Sequence, residues 1–207
     1  MIAVMDKLAV RKIVLMALGD YWGAARDQRA LTAYEQYPDR VVPFIGLNGI
    51  DPVTRSDLQY VDGQLASGKF RGMGELLSRH YPFASVTAAG TSLESGDYII
   101  PMDSPGAQDL MCLAAKHNVV LIVHMETTAA TVLSLGRALQ KSPTTKVIWA
   151  HQTHVKTFGG ATAEHARKAD PEQIANLMDK YPTLYADIAP GFEKHFVRAS
   201  DGRLPAN

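Results

Sequence analysis

A chain of 207 residues, 46% hydrophobic and 20% charged, is long enough to bury one sizeable core and has an ordinary globular composition. Its 21 basic residues balance 21 acidic ones, so nothing marks a polyanionic partner, and no basic stripe or aromatic platform argues for nucleic acid. A single cysteine, Cys112, excludes an intramolecular disulfide, and no apolar run approaches the length a bilayer requires.

The N-terminal stretch MIAVMDKLAVRKIVLMAL is broken by Asp6, Lys7, Arg11 and Lys12 and does not read as a signal peptide. A reducing cytoplasm is therefore expected. Residues 13–18 form a continuous apolar run, too short for an independent helix and rich in branched side chains, which predicts a buried strand. Residues 24–36 follow with helical spacing until Pro38 stops them. Residues 41–47 are the second apolar run. Asp51 and Pro52 suit an N-cap and first helical position, opening a helix towards Ala66. Residues 70–76 are the third run, and the polar stretch 79–97 reads as an excursion or lid loop.

Ser104 or Asp103 caps the next helix, which runs to His117 with Asn118 as its C-terminal residue. Cys112 falls within it and reads as a small buried side chain. Residues 119–123 are the fourth run. Thr127 or Thr128 caps a helix reaching Gln140, before Pro143. Residues 147–150 are the fifth run. An irregular Gly/Ala-rich segment follows, and then Asp170, Pro171 and Gln173 supply a capping box with proline at the first helical position. That helix ends near Tyr181 and Pro182, and residues 184–189 are the sixth run.

Strand and helix thus alternate six times in what reads as one domain, residues 1–207. Buried apolar strands joined by helices predict a parallel sheet with right-handed crossovers, either open and doubly wound or forming most of a barrel. In such folds ligands bind where the strands' carboxyl ends converge. Three polar residues stand there: Glu75 in FRGMGELL, His124 in VVLIVHME and His151 in KVIWAHQTH. Imidazole and carboxylate are suitable ligands for Zn²⁺, Mn²⁺ or Fe²⁺, and a metal held by three such groups activates water for hydrolysis.

Each residue also has a plainer reading. A histidine ending a strand is often a hydrogen-bonded structural residue. Glu75 could cap the following helix or pair with Arg71 or Arg79. His154 fits either solvent or a place behind a ligand, while His80, His117, His165 and His195 read as surface. Asp187, near the sixth strand's end, could orient a ligand, bind substrate or cap a loop. The chain has no third glycine after GMGE, no phosphate loop and no nucleophile elbow. Cys112, inside a helix, is a poor nucleophile.

In order and spacing these segments resemble the amidohydrolase superfamily, specifically the amidohydrolase-2 branch of metal-dependent (β/α)8 barrels. KFRGMGELL is similar to its fourth-strand segment, NVVLIVHMET to its fifth and KVIWAHQTH to its sixth; YPDRVVPFIGLN and DKYPTLYADIAP also look like recurring segments. The resemblance implies a partial TIM-like barrel of about six strand–helix units, strands two to seven. It implies metal ligation by Glu75, His124 and His151, with zinc first and manganese or iron as alternatives. The implied reaction is hydrolysis of an amide or ester of a small molecule, or decarboxylation in some members. Two family features have no counterpart: no His-x-His occurs anywhere, and Asp201, in SDGRL with no apolar strand before it, does not match the eighth-strand aspartate. A catalytically inactive remnant acting as a binding module is the remaining alternative. Two outer strands without neighbours would leave apolar edges open to self-association into homo-oligomers.

Overall fold

The computed structural model describes residues 1–16, 24–47, 53–80, 84–86, 92–94, 98–125, 127–150 and 171–187. In chain order the elements are α1 (Ile2–Lys7), β1 (Ile13–Leu15), α2 (Ala24–Gln36), β2 (Val41–Ile45), α3 (Arg55–Ala66), β3 (Gly72–His80), β4 (Ala84–Val86), β5 (Ser92–Glu94), β6 (Tyr98–Ile99), α4 (Pro105–Lys116), β7 (Val120–Met125), α5 (Ala129–Lys141), β8 (Lys146–Ala150), α6 (Pro171–Lys180) and β9 (Leu184–Ala186). Six strands pair in the order β1-β2-β3-β7-β8-β9, every junction parallel. Each of these strands is followed in space by the next one along the chain, so the order never reverses.

The two faces of this sheet differ. Alternate residues of each strand point to opposite faces. Leu121, Val123, Met125, Val147 and Trp149 point into the main core, where they meet α2 through Leu31, α3 through Val61 and Leu65, α4 through Leu110 and Met111, and α5 through Leu135 and Leu139; α6 packs at its margin through Ile174 and Leu177. The opposite set, Phe44, Ile122 and Ala150 with Val42, Val120 and Ile148, forms a small cluster to which, among the described residues, only strand residues and Met16 contribute. Among the described residues, the connecting helices that follow β1 therefore all lie on one face. A doubly wound sheet covers both faces and reverses its strand order at a switch point. Helices on one side of an unreversed order are the wall of a barrel, and the strand-only cluster is its inner face.

Local chemistry explains most boundaries. α2 spans the residues its spacing predicts. α4 ends as expected: Asn118 takes a left-handed φ of 53°, while the Asn118 and Val119 N–H groups donate to the Ala115 and Ala114 carbonyls, the two bonds of a Schellman motif. α5 is capped by Thr128, whose side chain accepts from the Thr131 N–H.

Four expectations are corrected. The N-cap of α3 is Thr54, not Asp51, because Thr54 and Asp57 exchange side-chain and backbone bonds in a capping box three residues further on; Asp51 and Pro52 lie outside the described residues. The stretch 79–97 is not a plain loop. β3 continues to His80, β4 and β5 pair antiparallel, and β6 returns antiparallel onto the end of β3. Cys112 is exposed rather than buried, because the buried face of α4 is Ala107, Leu110, Met111 and Ala114 and position 112 falls outside that stripe. His117 is not a surface residue: it is largely buried, with Nε2 2.6 Å from Asp62 Oδ1, and Lys116 Nζ donates to both oxygens of the same carboxylate at 2.7 and 2.9 Å. These contacts, His117's first, hold the Asp62 carboxyl below its usual range and tie α4 to α3.

A buried carboxylate that the sequence did not single out fastens the top of β2. Asp27, in the first turn of α2, accepts from the Gly46 N–H at 2.9 Å and from the Tyr60 hydroxyl at 2.6 Å. Burial raises its pKa, against the opposing pull of those two donors. The Tyr60 hydroxyl is also pushed up, by burial first and then by the bond to Asp27 and its charge. An acid whose pKa is raised on folding contributes stability in full below the ordinary carboxylate value, and that contribution is lost as pH rises through the elevated value. Asp27→Asn keeps an oxygen for the Gly46 N–H and cannot ionise. Across that window the variant is expected to gain stability relative to wild type as pH rises. Urea midpoints measured at a series of pH values check this, and parallel profiles for the two proteins would refute it.

Candidate metal centre

The inner face brings two of the expected ligands together. β7 alternates, so His124 shares the face of Val120 and Ile122, and it lies near the strand's carboxyl end. Glu75 reaches the same face from the neighbouring strand β3. His124 Nδ1 stands 3.7 Å from Glu75 Oε1, with both side chains largely buried. Arg71, one of the partners weighed for Glu75, is exposed, and the side chain of the other, Arg79, lies outside the described residues. With a protonated imidazole the contact is an ion pair. With a neutral one it is a pair of donor atoms facing a common point.

The other expected residues are placed differently. β8 ends at Ala150, the register partner of His124. His151 is the next residue in the chain and lies outside the described residues, as do His154, His165 and His195. Asp187 follows β9, two strands from β7. It is exposed, and its backbone N–H donates to the Trp149 carbonyl at 3.1 Å. Among the described residues no group of three His, Cys, Asp or Glu side chains is assembled to hold a metal, so Asp187 does not join Glu75 and His124 as a third ligand.

Trp149 braces this end of the sheet from the helix-covered side. It is fully buried, and its indole N–H donates to the Met125 carbonyl at 2.7 Å, one residue beyond His124. Below His124 the inner face is apolar: Ile122, Phe44 and Ala150 are buried there. A buried imidazole nitrogen and a carboxylate oxygen converging over an apolar floor fit the donor preferences of a divalent transition metal.

No protein-family profile and no curated protein matches the chain. Solved structures do. An uncharacterized TIM-barrel protein from Bordetella bronchiseptica, Bb4693, aligns over 89% of this chain and 57% of its own at 14% identity, with a TM-score of 0.57. The chain is a partial TIM barrel. The barrel is also similar to YjjV, a TatD homolog from Escherichia coli K12, over 89% of this chain and 60% of that one at 14% identity, with a TM-score of 0.50. A third similar structure, 5-carboxyvanillate decarboxylase LigW from Sphingomonas paucimobilis, has a TM-score of 0.52 at 12% identity over 92% and 72% of the two chains. This barrel spans 57% and 60% of the first two structures' lengths. At 12–14% identity the likeness is one of fold. No helix among the described residues is long and apolar enough to cross a membrane.

Strand-end position in the sequence singled out Glu75 and His124, and the structure places these two side chains 3.7 Å apart.

Proposed function

We propose that this chain carries the metal-binding wall of a hydrolase that acts on an amide or ester of a small molecule. The observation that supports this reading best is the meeting of Glu75 and His124, from adjacent parallel strands, at the carboxyl-end mouth of a partial TIM barrel. In this reading His124, Glu75 and His151 hold a divalent cation, zinc first and manganese or iron as alternatives. Such a cation supplies Lewis acidity and an activated water. The chain's own residues do the rest. The Glu75 carboxylate and the His124 imidazole reach the site from adjacent strands, 3.7 Å apart. Phe44, Ile122 and Ala150 keep water from the lower side. In this reading Asp187, exposed after β9, binds substrate rather than sharing the ligand set.

Metal content tests the proposal. Purified wild type is expected to retain a divalent metal at a substantial fraction of one per chain by elemental analysis, and the double variant His124→Ala/His151→Ala to fall to background. Equal content in the two proteins would overturn the proposal. A decarboxylase reading draws support from LigW, a decarboxylase by its title. Product analysis separates the two reactions: hydrolysis yields an acid with an amine or alcohol, and decarboxylation yields carbon dioxide.

A further inference from the structure

The path of β3 is irregular where it passes Ile122. Against β7, Met73 pairs with Leu121 and Leu76 pairs with Val123. Two residues of β3, Gly74 and Glu75, therefore stand opposite the single residue Ile122, which is a β-bulge. Met73, Leu76, Leu121 and Val123 all belong to the helix-covered core. In an unbulged strand the residue two beyond Met73 shares its face, so Glu75 would point among the core leucines and Leu76 would take the inner side. The extra residue reverses this. Leu76 stays in the core, and Glu75 turns inward beside His124.

Only glycine permits this path at position 74. Its φ is +151°, and a Cβ there would lie 2.7 Å from the Ile122 Cβ and 2.9 Å from the Ile122 carbonyl oxygen. The second of these contacts is with backbone held in the β7–β8 ladder, which cannot swing aside. We infer that Gly74 is a positioning residue: its missing side chain lets β3 bulge against Ile122 and so delivers the Glu75 carboxylate to His124. The inference rests on the metal-site reading for its functional meaning, and on the register alone for its geometry.

Two variants test it with Mn²⁺ as probe, by calorimetric titration and denaturant unfolding. Gly74→Ala is expected to bind Mn²⁺ about 10- to 100-fold more weakly than wild type, whereas Leu135→Ala, a truncation in the helix-covered core that leaves Gly74 in place, loses stability but keeps its affinity within a few-fold. Wild-type affinity in a folded Gly74→Ala protein would overturn the inference. If Gly74→Ala does not fold, the inference is overturned, because the glycine would then serve the fold rather than the site. Should wild type bind Mn²⁺ no better than His124→Ala, the metal reading fails on its own. The crystal structure of Gly74→Ala still judges Gly74, by whether Glu75 has left its 3.7 Å approach to His124.

Discussion

Trp149→Ala is expected to cost about 3–5 kcal/mol of folding stability, the range found when a fully buried aromatic side chain is truncated. Two effects act together. The indole lies in the core between the sheet and its helices, so its removal opens a cavity that the surrounding strands and helices only partly close. Its N–H also satisfies the Met125 carbonyl at 2.7 Å, and leaving a buried acceptor without its donor carries its own penalty of about 1–3 kcal/mol. Trp149→Phe separates the two, since it keeps much of the packing and loses the bond; an intermediate cost of about 1–2 kcal/mol is expected. Denaturant unfolding followed by far-ultraviolet circular dichroism measures both. An alanine variant as stable as wild type would show that the ring does not sit in the core.

The second large effect concerns the margins of the sheet. Among the described residues β1 pairs only with β2, and β9 only with β8. Val14 on β1 is 46% exposed and Tyr185 on β9 is 52% exposed. A parallel edge that offers unpaired N–H and C=O groups beside apolar side chains recruits further strands. We expect the wild-type chain to self-associate as its concentration rises, and Val14→Lys/Tyr185→Lys to run as a monomer. Light scattering after size exclusion reads the mass directly. A wild type that stays monomeric at every concentration would refute the expectation.

How much of this was legible beforehand depends on the kind of signal. The alternation of strand and helix was, because each apolar run is short, branched and bounded by a proline or a cap; α2 and the Asn118 terminus of α4 fall where spacing and turn chemistry place them. The choice between a doubly wound sheet and a barrel was not, since it depends on which face the helices take, and periodicity within one helix says nothing about that. The exposure of Cys112 could have been read from the helical phase of its neighbours. Asp27 could not, because an acid in a first helical turn ordinarily faces solvent and the amide end of its own helix, whereas here it is committed to Gly46 and Tyr60. Strand-end position found His124 and Glu75, but the inward turn of Glu75 depends on a register that only the paired strand reveals. His151 remains an expectation from its place after β8.

The unreversed strand order has a consequence for where disorder would enter this molecule. β3 and β7 occupy the two central rungs, each flanked by a neighbour on both sides, whereas β1 and β9 have one neighbour apiece. Thermal opening of such a ladder starts at its outer rungs and works inward. The imidazole and the carboxylate are carried on the last rungs to open, so their mutual approach outlives the loss of either flank.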